Sequence, residues 1–219
     1  LPVRVSALVR GKYLNYADYS EFNFQAPRGG SDNRPEGEEE PDATADARVI
    51  ADKLPLTLDR NGTGKLTVDN VPTSRQPQDL LLEATYSDPN GEVQTIRSTQ
   101  TLWPASVVAG IKTEGWVSSG QKITFQALAL DLNGKAQSGV TLEVKAVARI
   151  VTTSRKRMVG GFYTYDNKTE VKDLGSVCSG KSDSRGLLLC DTSLSEAGEV
   201  ELIVTAKDSE GRTIQAASS

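Results

Sequence analysis

One pattern, met twice, restricts this chain to a β fold. Val200, Leu202, Val204 and Ala206 alternate with Glu201, Thr205 and Lys207, and the run ends in Asp208-Ser-Glu-Gly211. Successive side chains of an extended chain point to opposite faces, so this alternation belongs to a strand with one buried face. The Asp side chain bonds backbone ahead of it and Gly tolerates the conformation that closes a turn, so the whole segment reads as a β-hairpin. About 120 residues earlier, Leu80, Leu82, Ala84 and Tyr86 alternate in the same register ahead of Asp88-Pro-Asn-Gly91. Three more turns share the form, opening at Asp59, Asp131 and Asp183 and closing at Gly62, Gly134 and Gly186. Chance supplies about one or two such pairs in a chain of this length, so five constitute a pattern. The expectation is an all-β chain of two tandem immunoglobulin/fibronectin-like antiparallel β-sandwich domains, residues 1–105 and 106–219, meeting at Trp103-Pro104 where proline interrupts pairing.

Histidine is absent from the 219 residues. That removes the commonest general base and metal ligand, together with every Ser/His or Cys/His pairing. No carboxylate pair sits in a catalytic context, so no enzyme, cofactor or metal is expected. The net charge is -4 and no basic stripe carries interleaved aromatics, which argues against a nucleic-acid partner. No apolar run is long enough to span a bilayer. The chain opens at Leu1 with no Met or signal peptide, and an excised fragment is expected.

Taken in order, residues 1–10 form an amphipathic strand, and a strand preceding it is expected to be missing. Tyr13, Tyr16, Tyr19, Phe22 and Phe24 follow as core and inter-strand packing, with a ligand-binding aromatic cluster as the other reading. Residues 27–47, rich in Glu, Pro and Gly, have almost nothing to bury and read as a mobile acidic loop. Its carboxylates specify no calcium-ligand spacing. Residues 48–58 form a strand that Pro55 assigns to an edge or a bulge. Asp59-Arg-Asn61-Gly-Thr63 looks like the start of a calcium loop, but Asn70 stands where a bidentate Glu is needed, and the turn reading prevails. Leu66-Thr-Val68 reads as a short strand, and residues 93–102 close the first domain. In the second, Ile123, Phe125, Ala127 and Ala129 alternate, as do Val140, Leu142, Val144 and Ala146, and the two runs are expected to share a core face.

Arg155, Lys156 and Arg157 read as a solvated loop, with a partner contact or a protease-sensitive site as the functional alternative. Gly160-Gly161 gives a bend and Phe162, Tyr163 and Tyr165 pack beside it. Asn61 and Asn167 head glycosylation sequons, which matter only in a eukaryotic secretory setting. Cys178 and Cys190 bracket the Asp183 turn, so the sulfurs can meet across a hairpin as a disulfide, which implies an oxidising compartment. Two buried thiols are the competing reading, and two sulfurs without His are too few for zinc.

Several segments resemble the macroglobulin domains of bacterial alpha-2-macroglobulins: Arg10-Gly-Lys-Tyr-Leu-Asn-Tyr, Trp116-Val-Ser-Ser-Gly, Ser154-Arg-Lys-Arg-Met-Val-Gly-Gly-Phe-Tyr, and Val177-Cys-Ser-Gly through Leu189-Cys190. The second half is most similar to the thioester-lacking, MagD-type class. The resemblance implies seven-stranded antiparallel β-sandwiches in a large periplasmic protein, lipid-anchored to the inner membrane through a part outside this chain. In that family a protease cleaves a bait region, the molecule rearranges, and the protease is trapped. Some members also capture it covalently through Cys-x-Glu-Gln, which neither Cys178 nor Cys190 begins. The implied function is therefore a framework: rigid domains that position bait and trap elsewhere. Implied partners are proteases acting through the parent protein, neighbouring macroglobulin domains and other periplasmic or envelope proteins. An independent adhesive or carbohydrate-binding pair of sandwiches is the alternative, using the aromatics between Tyr13 and Phe24 or the acidic loop.

Overall fold

A computed structural model describes residues 1–28, 47–114, 122–194 and 199–218. Its strands are β1 (Pro2–Gly11), β2 (Arg48–Thr57), β3 (Gln78–Ser87), β4 (Val93–Leu102), β5 (Val107–Thr113), β6 (Lys122–Asp131), β7 (Thr141–Arg157), β8 (Tyr163–Lys181), β9 (Leu187–Ser193), β10 (Glu199–Lys207) and β11 (Thr213–Ala217). A 3-10 turn occupies Ala17–Tyr19. All the pairings between these strands are antiparallel. The strands divide between two compact units, the first Leu1–Tyr13 with Glu39–Pro104, the second Leu14–Glu38 with Ala105–Ser219. This division differs from a cut at residue 105, because the aromatic segment that follows β1 groups with the second unit.

The first unit is built on one four-stranded sheet, ordered β2-β1-β3-β4. Val5, Ala7 and Val9 stand opposite Ala84, Leu82 and Leu80, which places the alternating apolar residues of β1 and β3 on one face. Pro55 lies on β2 at the sheet edge, where its missing N–H costs no ladder bond. The same strand bulges: the register jumps between Val5↔Leu54 and Ala7↔Ala51. Lys53 takes a positive φ of 48° there, and its N–H donates to Ser6 Oγ at 3.0 Å. The strand expected at Leu66-Thr-Val68 is not formed, and no second sheet for this unit appears among the described residues.

The second unit is a seven-stranded sandwich of a four-stranded sheet, β11-β10-β7-β8, and a three-stranded sheet, β5-β6-β9. Leu142, Val144, Ala146 and Ala148 of β7 and Leu202, Val204 and Ala206 of β10 meet Phe125, Ala127 and Ala129 of β6 in one buried cluster. The two runs expected to share a core face do so from opposite sheets. Two bulges in β8, at the register jumps Val144/Lys145 and Ala146/Val147, bring Leu174, Val177 and Cys178 against that core.

The three-stranded sheet is buried on its other face too. Val108, Leu128 and Leu130 are fully buried, and Leu14 and Phe24 from the aromatic segment are buried too. Asn23 and Ile111 exchange backbone hydrogen bonds of 2.8 and 3.0 Å, so the segment adds a short bridge at the β5 edge. Gly110 makes room for the Phe24 ring: a Cβ there would lie 2.7 Å from Phe24 Cε1. Tyr16 stacks edge-on to Phe24 with centroids 5.1 Å apart.

All five Asp-x-x-Gly turns adopt one backbone. Each Asp Oδ1 accepts the N–H two and four residues ahead at 2.8 to 3.0 Å. Each Gly has φ between 75° and 84°. The Asp59 carboxylate is thus engaged by its own turn, as the turn reading requires. Only the Asp88 and Asp208 turns join strands that pair, β3 with β4 and β10 with β11. The Asp183 turn carries the chain from β8 in one sheet to β9 in the other.

Candidate interaction site

The cysteine bridge follows from that crossover. Cys178 and Cys190 are disulfide-bonded with Cα atoms 6.1 Å apart. Cys178 sits on β8 opposite Val144, and Cys190 on β9 opposite Phe125. The bond therefore staples the edge strands of two facing sheets, and the expected cross-strand pairing within a hairpin is corrected in geometry. Asp183, at the corner, has its carboxyl held below the ordinary range, first by the Leu187 N–H.

A second constellation surrounds Asp208, whose side chain is almost wholly buried. Beyond its turn bonds, Oδ2 accepts from Ser106 N–H at 3.0 Å, Ser106 Oγ at 3.2 Å and Arg212 Nε at 2.9 Å. The Ser106 N–H leads these interactions in driving the carboxyl well below its usual range, against the opposing effect of burial. A third lies under Arg28. Glu201 Oε1 accepts the Arg28 N–H at 2.9 Å, and Arg149 Nη2 donates to the Arg28 carbonyl at 3.1 Å while standing 3.6 Å from Glu201 Oε2. A buried carboxylate and a buried guanidinium thus clasp both backbone polar groups of one residue, Arg28. These arrangements hold backbone in place.

Arg155, Lys156 and Arg157 stand elsewhere, and on a strand rather than in a loop. Beyond Arg149, where β10 stops pairing with β7, β7 and β8 continue together from Ile150↔Glu170 to Arg157↔Tyr163. At the rise of a β-strand this two-stranded arm runs about 25 Å. The turn at its tip repeats the two backbone hydrogen bonds of the Asp turns without an Asp: Gly161 N–H donates to the Met158 carbonyl and Met158 N–H to the Phe162 carbonyl. Gly160 and Gly161 supply φ of 97° and 82°.

The arm is exposed along its length. Val159 is completely exposed, Phe162 is 76% exposed and Met158 55%. Arg155 and Arg157 face Tyr165 and Tyr163 across the ribbon, and the Arg155 guanidinium lies 3.5 Å from the Tyr163 ring centroid. Residues 155–165 hold three cations and no carboxylate in a chain whose net charge is -4. The signal for this arm was present: β-branched Ile150, Val151, Thr152 and Thr153 precede a Gly-Gly pair and an aromatic run, a hairpin signature that the basic triplet obscured.

The other sequence-predicted surfaces fare differently. Phe24 is buried and Tyr16 half-buried, while Tyr19 packs edge-on to Phe22, so the aromatics serve packing. Burial, then the Asp131 charge, raises the Tyr16 phenol above its ordinary range. Tyr13 is 72% exposed in the first unit. Most of the acidic loop 27–47, and the Trp116 motif, lie outside the described residues. Among the described residues, no group of three or more His, Cys, Asp or Glu is placed to hold a metal, and no helix is long and apolar enough to cross a membrane.

No protein-family model matches the sequence, and no curated protein matches it significantly. Solved structures do. Salmonella alpha-2-macroglobulin reacted with methylamine superposes with a TM-score of 0.57 at 14% identity, covering 99% of this chain and 14% of that one. The native conformation of the E. coli protein gives 0.57 at 13% identity, covering 99% and 13%. The E. coli protein activated by porcine elastase gives 0.50 at 16%, covering 99% and 18%. The chain thus spans about a seventh of the first of these proteins, and its fold is that of a stretch of β domains within bacterial alpha-2-macroglobulins.

Proposed function

We propose that this chain is a framework segment of a periplasmic, alpha-2-macroglobulin-like protease trap of the thioester-lacking class. The observation that carries this reading is the superposition over 99% of the chain on Salmonella alpha-2-macroglobulin. An E. coli neighbour of the same fold is described as activated by porcine elastase, which makes a protease the partner to test. Both cysteines are consumed by the sheet-to-sheet disulfide, so neither serves as a thioester sulfur, and the bond suits an oxidising compartment. Sheets packed as rigid bodies transmit displacement when a connection between neighbours is cut, which is the role assigned to this segment.

The test compares this chain alone with a longer polypeptide that contains it, each incubated with elastase. A trap hinders large substrates while sparing small ones. The longer protein is expected to block cleavage of a protein substrate, leave cleavage of a peptide substrate intact and become more compact on cutting. The chain alone is expected to do none of these. Inhibition by the chain alone, or specific binding of a glycan to it, would overturn the framework reading.

A further inference from the structure

The β7–β8 arm has an order along its length that a framework role does not require. Three apolar side chains, Met158, Val159 and Phe162, gather at the extreme tip and are exposed, with Val151 exposed singly near the base. Tyr163 and Tyr165 stand directly behind them on one strand, and Arg155, Lys156 and Arg157 on the other. Apolar residues first, tyrosines second and cations beside them is the sequence of preferences met on entering a bilayer from water: acyl chains, interface, phosphates. At a strand's rise the basic triplet lies about 7–13 Å behind the tip, comparable to the depth of interfacial insertion.

Charge points the same way. The distal arm carries three cations with no carboxylate among residues 155–165, although the whole chain is acidic. Phosphate-bearing surfaces attract such a cluster, and arginine suits them through its planar fork of donors. A rigid ribbon also loses little conformational entropy on docking, because its backbone is already hydrogen-bonded through the ladder.

We propose that the arm is a membrane-docking element: Met158, Val159 and Phe162 enter the interface of an anionic phospholipid bilayer while Arg155, Lys156 and Arg157 engage its phosphates. The docking is a direct contact made by this chain, independent of any lipid anchor elsewhere and of the framework reading. Each basic residue near such a surface strengthens partitioning about fivefold.

The test is co-sedimentation of the 219-residue protein with vesicles of phosphatidylcholine alone and of phosphatidylcholine mixed with phosphatidylglycerol. Binding is expected to the anionic vesicles, to weaken in high salt, and to persist with inorganic phosphate in solution. Arg155→Gln combined with Arg157→Gln is expected to reduce it about 30-fold. Val159→Asp combined with Phe162→Asp is expected to abolish it, with thermal unfolding unchanged because the tip is remote from the core. Val159→Trp supplies a direct probe, whose fluorescence should shift to the blue and be quenched by brominated lipid. Absence of binding, equal binding to neutral vesicles, indifference to the tip substitutions, or capture of a soluble protein without any vesicle binding would each overturn the proposal.

Discussion

Asp208 and Asp88 close turns of the same backbone, yet their removal should have very different consequences. Asp88 makes its two turn bonds, to Asn90 N–H at 2.8 Å and Glu92 N–H at 3.0 Å, and is only half-buried. Asp208 makes the equivalent pair and presents a second oxygen to Ser106 N–H, Ser106 Oγ and Arg212 Nε. Asn in either position keeps the Oδ1 acceptor for the turn. At 208 it also points an NH2 group at a donor that cannot turn away, the Ser106 backbone N–H, whereas the half-exposed Arg212 guanidinium can turn to Glu210 and water. Losing the Ser106 hydrogen bond to a charged acceptor costs about 1.5–3 kcal/mol, whereas Asp88→Asn should stay within about 0.5 kcal/mol.

The pH dependence supplies a second, independent signature. The Asp208 carboxyl is depressed in the folded state, so its contribution is fully present above the unfolded value and is lost as pH falls from there toward the folded one. With an unfolded value of about 3.9, the gap between the natural protein and Asp208→Asn should narrow by about 1.3 kcal/mol between pH 7 and pH 3. Urea unfolding at both pH values, followed by hydrogen-exchange labelling of β7 and β10, confines the signal to the second unit. Equal effects of the two substitutions at pH 7, or a gap unchanged at pH 3, would refute the assignment of Asp208 as a charged tie between the β10–β11 turn and the start of β5.

Reduction of the Cys178–Cys190 bond should lower the stability of the second unit by about 3 kcal/mol in a denaturant titration with and without reductant, the value for a loop of this length. Gly110→Ala should cost about 1–3 kcal/mol by forcing the Phe24 ring from its seat, and Phe24→Leu should recover part of the loss in a double-mutant cycle read by thermal unfolding. Glu201→Gln should cost about 1–3 kcal/mol, because it removes a charge from a buried ion pair and weakens the acceptor of the Arg28 N–H, whose amide exchange should accelerate. Trypsin should cut slowly at Arg155, Lys156 and Arg157, since a paired strand does not enter a protease cleft without opening; mass spectrometry of early fragments showing these bonds cut first would contradict the arm's ladder.

Much of the fold was legible because its determinants are local. A turn in which Asp accepts two backbone N–H groups and Gly supplies positive φ is specified within five residues, and all five sites in the sequence adopt it. Alternation likewise placed β3, β6, β7 and β10, and on β7 and β10 the buried apolar residues recur every second position, from Leu142 to Ala148 and from Val200 to Ala206. What the turns could not reveal was which strands pair. The Asp131 turn ends in an isolated bridge between Leu130 and Ala136, and the Asp183 turn crosses between sheets. A turn fixes the reversal of the chain, while pairing is decided by which apolar face finds the core, a property of distant residues.

The arm and the segment 14–28 failed to show for opposite versions of that reason. The segment has aromatic residues that a core can absorb, but the face that absorbs them is created by Val108, Gly110, Leu128 and Leu130, about 90 residues or more along the chain. Gly110 is the informative member, since its lack of a side chain makes sense only once the Phe24 ring lies over it. The arm has no buried face at all, so the period-two signal that betrays half-buried strands is missing. Its strands are specified by β-branched residues and a Gly-Gly turn, which anchor it as an extension of β7 and β8 already registered in the core. An exposed ribbon whose tip apolar residues find no partner among the described residues is costly to leave in water, and that cost is the physical reason to look for its function outside the sandwich.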